Sequence, residues 1–249
     1  MSAALQDKVA VVTGAGSGIG RSIAQRFAEE GATVYLVGRR QHTLDEVAAE
    51  LGTGAQVVVA DTSQLADIDR LFSLVEEKSG RVDVLVANAG GGSLAALGQI
   101  AEQDFDATFA TNVKGVLFTV QRALPLLSDA ASVILTGSTA SAKGGPAFSV
   151  YGATKAAVRN FARSWIIDLK GQGIRVNVLS PGPTKTPGLV GLVPEAQQQG
   201  LLDQLANSVP LGRVADPDEI ANAALFLASD QSSFVNGIEL FVDGGAAQA

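Results

Sequence analysis

The sequence predicts one doubly wound α/β domain: a mostly parallel sheet with helices on both faces. Three observations predict it. Short β-rich runs alternate with amphipathic helical stretches along the chain, the pattern that builds parallel sheets through crossover helices. The runs are apolar throughout instead of alternating with polar residues, as expected of strands covered on both faces. The first run ends in a glycine-rich turn that opens into a helix. The 249 residues suit a single large core. No linker, repeat or low-complexity tract interrupts the pattern, so residues 1–249 are read as one domain.

The elements follow in order. A strand at 9–13 (VAVVT) precedes a helix at 21–30, whose apolar face is Ile23, Ala24, Phe27 and Ala28 and which stops at Gly31. A strand at 33–37, a helix at 43–51 and a strand at 56–60 come next. The helix at 65–78 is ended by Gly80, and the strand at 82–87 follows. Residues 105–127 read as one long helix with Pro125 in its last turn, before a strand at 132–136. The helix at 151–169 is closed by Gly171 and Gly173, and a strand follows at 174–179. Residues 187–209 are less regular. A helix at 217–228 has Asp216 as its N-cap and Pro217 at its first position, and the last strand is 238–242.

Composition excludes several kinds of function. The net charge of −7 provides no electrostatic footprint for nucleic acid and no polybasic membrane patch. There is no cysteine, hence no disulfide, thiol nucleophile or thiolate metal site. The single histidine, His42, follows Arg39 and Arg40 in a polar stretch and reads as a solvated helix-start residue, so no metal site is expected. No apolar run approaches the ~18–20 residues that span a membrane, and no signal peptide is visible. A cytoplasmic location fits these features.

The chemistry begins after the first strand, at Gly14-Ala15-Gly16-Ser17-Gly18-Ile19-Gly20. Glycines there permit a tight turn and let backbone N–H groups approach a pyrophosphate, to which the helix N-terminus adds partial positive charge. The spacing is not the common GxGxxG, because Ile19 stands where its third glycine would be. Tyr151 and Lys155 are i,i+4 and share a helix face. A free phenol has a pKa of about 10. A nearby ammonium should lower it and fit Tyr151 for acid–base work. Ser138, just past a strand, can hold and polarise a carbonyl oxygen. Taken singly these residues have plainer readings: a surface Tyr–Lys contact, a turn serine, glycines that end a strand.

The glycine pattern resembles the cofactor motif of the short-chain dehydrogenase/reductase family, and the family's other motifs follow in order. Asp61, beside Thr62, matches the acidic residue that contacts adenine. Asn88-Ala89-Gly90 matches NNAG, with Ala87 replacing its first asparagine. Asn112, Ser138 and the Tyr151/Lys155 pair match the catalytic positions, and Pro181-Gly182 with Thr184 and Thr186 matches the stretch that holds the nicotinamide carboxamide. The resemblance covers essentially the whole chain. It implies a Rossmann-type fold and an enzyme moving a hydride between a nicotinamide cofactor and a carbonyl or alcohol. It also implies that Asn112 steadies a water relay to Lys155. A homotetramer is implied, with a dimer as runner-up, held by the helices at 105–127 and 151–169 and by the C-terminal GIELFVDGG.

NAD sites usually carry an acid at the end of the second strand, about 20 residues past the glycines. Here Arg39 and Arg40 stand there instead. Arg39 can fork onto a 2′-phosphate, so NADP(H) is expected, with NAD(H) the alternative. The substrate pocket is expected to be walled by Gly91, Gly92, Ser93, residues 139–148 and residues 189–193, with Lys143 as the only charge. Small walls suggest a bulky neutral ketone. A 3-oxoacyl carrier-protein reductase and a non-catalytic dinucleotide sensor are the other readings. Residues 187–211 are read as a lid, with Gly188, Gly191 and Pro194 allowing movement.

Overall fold

In the computed structural model, which describes residues 3–248, the apolar runs form one sheet. Its strands are β1 (Val9–Thr13), β2 (Thr33–Gly38), β3 (Ala55–Val59), β4 (Val82–Ala87), β5 (Leu127–Thr136), β6 (Arg175–Pro181) and β7 (Glu239–Val242). Every pairing is parallel. The spatial order is β3-β2-β1-β4-β5-β6-β7, so the winding reverses between β1 and β4. At such a switch point the two crossovers leave in opposite directions and open a crevice outside the carboxyl ends of the strands.

The helices are α1 (Gly18–Glu29), α2 (Gln41–Leu51), α3 (Leu65–Ser79), α4 (Glu102–Phe109), α5 (Val116–Ala123), α6 (Ser149–Asp168), α7 (Pro187–Val190), α8 (Glu195–Asn207) and α9 (Pro217–Ala228). Strand residues divide by parity between two cores. Val9 and Val11 join one with Ile68, Leu71 and Phe72 of α3, Val116 and Val120 of α5, and Val158 and Ala162 of α6. Ala10 and Val12 join the other with Ile23 and Phe27 of α1, Leu44 and Val47 of α2, and Ile220 and Ala224 of α9. Each buried large side chain stabilises by about 1.5–3 kcal/mol. This two-sided burial is why the runs lack polar alternation.

Three segments differ from the sequence expectation. The helix expected from 21 starts at Gly18, because the first-turn N–H groups need no intrahelical partner and tolerate glycine. The expected continuous helix at 105–127 is broken: α4 passes through a π-helical turn at Ala110–Gly115 into α5, a 3-10 turn holds Pro125, and β5 already begins at Leu127. The irregular stretch at 187–209 contains α7 and α8. No residue of α8 is fully buried, so its apolar periodicity is weak in the sequence. His42 lies exposed in the first turn of α2, and Asp216 and Pro217 open α9 as expected.

At the opposite end of the sheet from the crevice, Asp83 ties three segments together. Its carboxylate accepts from Val9 N at 2.8 Å, Arg81 Nε at 3.0 Å and Ser128 Oγ at 2.7 Å. Burial alone would raise its pKa; the bonds from Val9 and Ser128, with the Arg81 guanidinium, outweigh it and hold the carboxyl below the usual range. A carboxylate with a depressed folded pKa contributes stability that is complete above the unfolded value of about 3.9 and lost as pH falls through the folded one. Asp83→Ala is expected to lower stability at pH 7 by about 1–3 kcal/mol, because buried donors lose their acceptor. Urea titrations should show the gap to wild type narrowing below about pH 4.

Candidate active site

The crevice between β1 and β4 is built by stitching two loops. Thr13 Oγ1 accepts from the backbone N–H groups of Asn88 and Ala89, both at 2.9 Å, and Asn88 Nδ2 donates to Thr13 O at 2.9 Å. The loops approach so closely that side chains are excluded. A Cβ on Gly14 would lie 2.9 Å from Asn88 Nδ2, and one on Gly20 would collide with Gly14 O. Gly14 and Gly18 also take positive φ, at 69° and 54°. Gly18 faces Thr186, with only 3.1 Å available to a Cβ, so the glycine turn and the 181–186 loop share one wall. The N-cap of α1, Ser17, makes no side-chain cap, and the first N–H groups of the helix have no side-chain partner there.

Beyond β5 lies the second half of the site. Ser138 caps a 3-10 turn at Thr139–Ser141, its Oγ accepting from Ala140 N at 3.1 Å. The Ser138 and Tyr151 hydroxyls share a hydrogen bond. Phe148 meets the Tyr151 ring edge-on with centroids 5.8 Å apart. Lys155 is 3% exposed and donates from Nζ to Thr136 O at 2.8 Å, with Nζ 5.6 Å from the Tyr151 ring centre. Gly90 completes this corner, since a Cβ there would sit 3.1 Å from Asn112 Oδ1 and 3.3 Å from Lys155 Nζ.

Asn112 sits in the π-helical turn, fully buried. Its Nδ2 donates to Gly91 O at 2.7 Å and Thr154 Oγ1 at 3.0 Å, while Oδ1 accepts from Gly91 N at 3.0 Å. The amide therefore clamps the loop after β4 to α6. The wider turn is a deformation of the kind that re-aims a side chain at functional sites.

One cleft of about 1120 Å³ joins the two halves. Its lining includes Gly14, Ser17, Gly18, Ile19, Gly20, Arg39, Arg40, Asp61, Thr62, Asn88, Ala89, Gly90, Ser138, Tyr151, Lys155, Pro181, Gly182, Thr184 and Thr186; of the predicted site residues only Asn112 lies behind the wall. Of the walls expected for a substrate, Gly91, Gly92, Ser93, Thr139, Ala140, Lys143, Gly144, Gly145, Phe148, Leu189 and Leu192 line this cleft, whereas Ser141, Ala142, Pro146, Ala147, Val190, Gly191 and Val193 do not; Asp104, Ala107 and Thr108 of α4 and Ala246 of the C-terminal tail line it as well. Lys143 is thus not the only charge there, and its Nζ donates to Ala246 O at 3.1 Å. Asp104 and Ala246 carry no motif, and only the packing of α4 and the return of the tail bring them in. Arg39 and Arg40 are exposed, and neither side chain makes an ion pair or hydrogen bond among the described residues.

The residues fit a nicotinamide dinucleotide. The cleft has the length and volume, glycine backbone and free helix N–H groups stand where a pyrophosphate would lie, and guanidinium groups stand at one end and hydroxyls at the other.

The pKa expectation for Tyr151 is corrected. Burial pushes the phenol above its ordinary value, and the Ser138 hydrogen bond offsets only part of this. Lys155 does not offset this; burial disfavours its own ammonium and lowers its pKa to about 8, which leaves the group still mostly protonated at pH 7. Unfolded, a lysine titrates near 10.4. Between these values the unfolded chain binds more protons, so stability from Lys155 rises with pH across that window. Lys155→Met should stabilise the cofactor-free protein at pH 7 by about 2 kcal/mol, net of the lost Thr136 hydrogen bond. Urea titrations should show the advantage shrinking toward pH ~10; an equal or larger gain there would contradict the burial argument.

Comparison with known proteins agrees with the geometry. A family model described as enoyl-(acyl carrier protein) reductase matches residues 14–247. The chain is 46% identical over 246 residues to oxidoreductase asL5 of Sarocladium schorii, covering 98% of this chain and 97% of that one. It is 37% identical over 242 residues to meso-2,3-butanediol dehydrogenase of Serratia marcescens, covering 96% and 94%. The crystal structure of the short-chain dehydrogenase/reductase glucose/ribitol dehydrogenase from Brucella melitensis superposes with a TM-score of 0.93 at 33% identity, covering 100% of both chains. With the parallel switch-point sheet, the glycine cradle and the serine–tyrosine–lysine corner already in place, these similarities show that the chain belongs to the short-chain dehydrogenase/reductase family of NAD(P)-dependent oxidoreductases.

Proposed function

We propose that this enzyme transfers a hydride between NADP(H) and a ketone or secondary alcohol, with a bulky neutral substrate. The observation that carries the reading is the shared hydrogen bond of the Ser138 and Tyr151 hydroxyls, at the far end of the cleft that starts at the glycine turn. The nicotinamide ring, when bound, supplies or accepts the hydride. In the reducing direction Tyr151 gives its proton to the carbonyl oxygen as negative charge develops there. Ser138 donates a hydrogen bond to the same oxygen and fixes its position. A phenol held protonated by burial is in the right form for this step. The reverse step needs the phenolate, so alcohol oxidation should favour alkaline pH. Lys155 would hold the ribose end of the nicotinamide, Asn112 secures the wall beside it, and the polar corner they form returns a proton to Tyr151 after reduction or releases one after alcohol oxidation. Pro181, Gly182, Thr184 and Thr186 hold the carboxamide side, Asn88, Ala89 and Gly90 the ribose side, and Asp61 with Thr62 the adenine.

The small side chains at the substrate end support a bulky neutral substrate, and the butanediol dehydrogenase relative supports a secondary alcohol. Residues 187–211 act as the lid: Leu189 of α7, Leu192 of the turn after it and Leu205 of α8 line the cleft. The enzyme is proposed to work as a cytoplasmic homotetramer. Apolar groups left bare on one chain, Ile167 at 71% and Phe234 fully exposed, support burial against other copies. No described helix is long and apolar enough to cross a membrane.

Tyr151→Phe is expected to cut kcat by about 10²–10⁴-fold while NADPH still binds, because only the proton donor is removed. A panel of ketones and 3-oxoacyl thioesters, followed by NADPH absorbance, checks both this and the substrate class. Retention of more than about a tenth of wild-type kcat would unseat Tyr151 as the acid. Best turnover on a thioester would reassign the substrate, and no turnover in any arm would favour the sensor reading.

Cofactor choice rests on Arg39. One charged hydrogen bond to a 2′-phosphate contributes ~1.5–3 kcal/mol, a preference for NADPH over NADH of roughly 10- to 150-fold. Arg39→Asp should reverse that preference, read both as kcat/KM and as Kd from cofactor fluorescence. Equal use of the two cofactors by wild type, unchanged in the variant, would reduce Arg39 to a solvated residue at the start of α2.

A further inference from the structure

Glu239, the first residue of β7 and part of the GIELFVDGG stretch, has no role in the cofactor or catalytic motifs above, yet its carboxylate reaches three elements that carry the site. Its side chain is 9% exposed. Oε1 accepts from Ser141 Oγ at 2.9 Å and from Ser180 Oγ at 2.8 Å, while Oε2 faces Arg159 Nη1 at 3.5 Å. Ser141 ends the 3-10 turn that Ser138 begins. Ser180 immediately precedes Pro181 and Gly182. Arg159 follows Lys155 by one turn and Tyr151 by two, on the same face of α6. β7 is the edge strand, with Glu239 level with Val178 of β6. Its neighbours Leu240 and Val242 pack toward the α1–α9 face, which leaves Glu239 on the side of α6.

The turn it holds has little freedom elsewhere. Ser141 N donates to Ser138 O at 2.9 Å, which closes the turn on itself. On its α6 side a Cβ at Gly152 would lie 2.8 Å from Ala140 O, so backbone meets backbone there without a side chain to lock the contact. At its root Gly137 is pressed against Val178 and Ser180, again with no room for a Cβ. Glu239 is thus a side-chain anchor that ties the far end of the turn to both β6 and α6. Without it, two hydroxyls lose a buried acceptor and the turn can shift against the helix that carries Tyr151.

We propose that Glu239 is a positioning residue: by holding Ser141, Ser180 and Arg159 on one carboxylate, it sets the distance between the Ser138 and Tyr151 hydroxyls. The inference rests on the reading that these two hydroxyls meet the substrate oxygen.

The test compares Glu239→Ala, Glu239→Gln, Ser141→Ala and the Glu239→Ala/Ser141→Ala double variant, with Tyr151→Phe as control. The probe is 2,3-butanedione or acetophenone with NADPH, whichever the wild type reduces faster. Glu239→Ala should lower kcat about 10- to 100-fold, the scale of an approximately 1 Å misplacement, with the Kd for NADPH changed less than about threefold. Glu239→Gln keeps an acceptor for both serines and should stay within about threefold of wild type, while Ser141→Ala falls between. The double variant should be no slower than Glu239→Ala, because both act through one contact. Crystal structures of Glu239→Ala and, should it fold poorly, Ser141→Ala should show the 139–141 turn displaced and the Ser138–Tyr151 hydrogen bond lengthened or broken. An unmoved turn, or losses in kcat that are additive and track loss of folded protein, would overturn the proposal. An active Tyr151→Phe would instead remove the catalytic reading, while the crystal structures would still decide whether Glu239 sets the distance.

Discussion

The contact between the ends of β1 and β4 is the constraint on which the rest of this structure depends. Thr13 receives two backbone N–H groups from the Asn88–Ala89 loop and returns its own carbonyl to Asn88. That closeness is possible only because Gly14 and Gly20 have no side chains to separate the loops. The crevice at the switch point is a consequence of topology. Its depth and the exposure of the helix N–H groups follow from this local stitch. A side chain at Gly14 or Gly20 would push α1 away from β4 and open the cleft floor, even with the sheet intact.

The half of the cleft that holds Ser138, Tyr151 and Lys155 obeys a different logic. There polar groups are buried deliberately: Lys155 against Thr136, Asn112 between Gly91 and Thr154, Tyr151 against Ser138. Each is satisfied, so the corner is rigid, but Lys155 and Tyr151 both have their charged forms disfavoured by burial. For Lys155, whose ammonium is buried, this opposes stability at neutral pH in the cofactor-free protein, whereas Tyr151 is neutral there whether folded or unfolded. The compensating interactions lie elsewhere, in the two-sided apolar cores and in satisfied carboxylates such as Asp83 at the far end of the sheet. Function and stability thus occupy opposite ends of the same strands.

Charge is arranged with similar economy. The chain is acidic overall, yet the cleft collects Arg39 and Arg40 at one end and Lys155 at the other. The arginines are exposed and unpaired with any described acid, so no carboxylate competes with an anionic ligand for them. Most other arginines near acids are engaged: Arg21 with Glu50, Arg122 with Asp69, Arg213 with Glu219.

The sequence by itself determined the mostly parallel sheet and its two covered faces, because unbroken apolar runs and helix periodicity are local signals that burial on both sides imposes directly. It also marked the residues of the cleft, since glycines and the Tyr151–Lys155 spacing have a short-range physical meaning. Tertiary structure alone decided what these residues experience. The burial of Asn112 between Gly91 and Thr154, the desolvation that lowers the Lys155 pKa to about 8 and raises that of Tyr151, and the reach of Glu239 to Ser141 depend on segments far apart in the chain. α8 escaped sequence reading because it buries no continuous apolar face. Spacing along a chain carries periodicity and turn chemistry; desolvation and hydrogen bonding between distant segments exist only once the chain has closed around them.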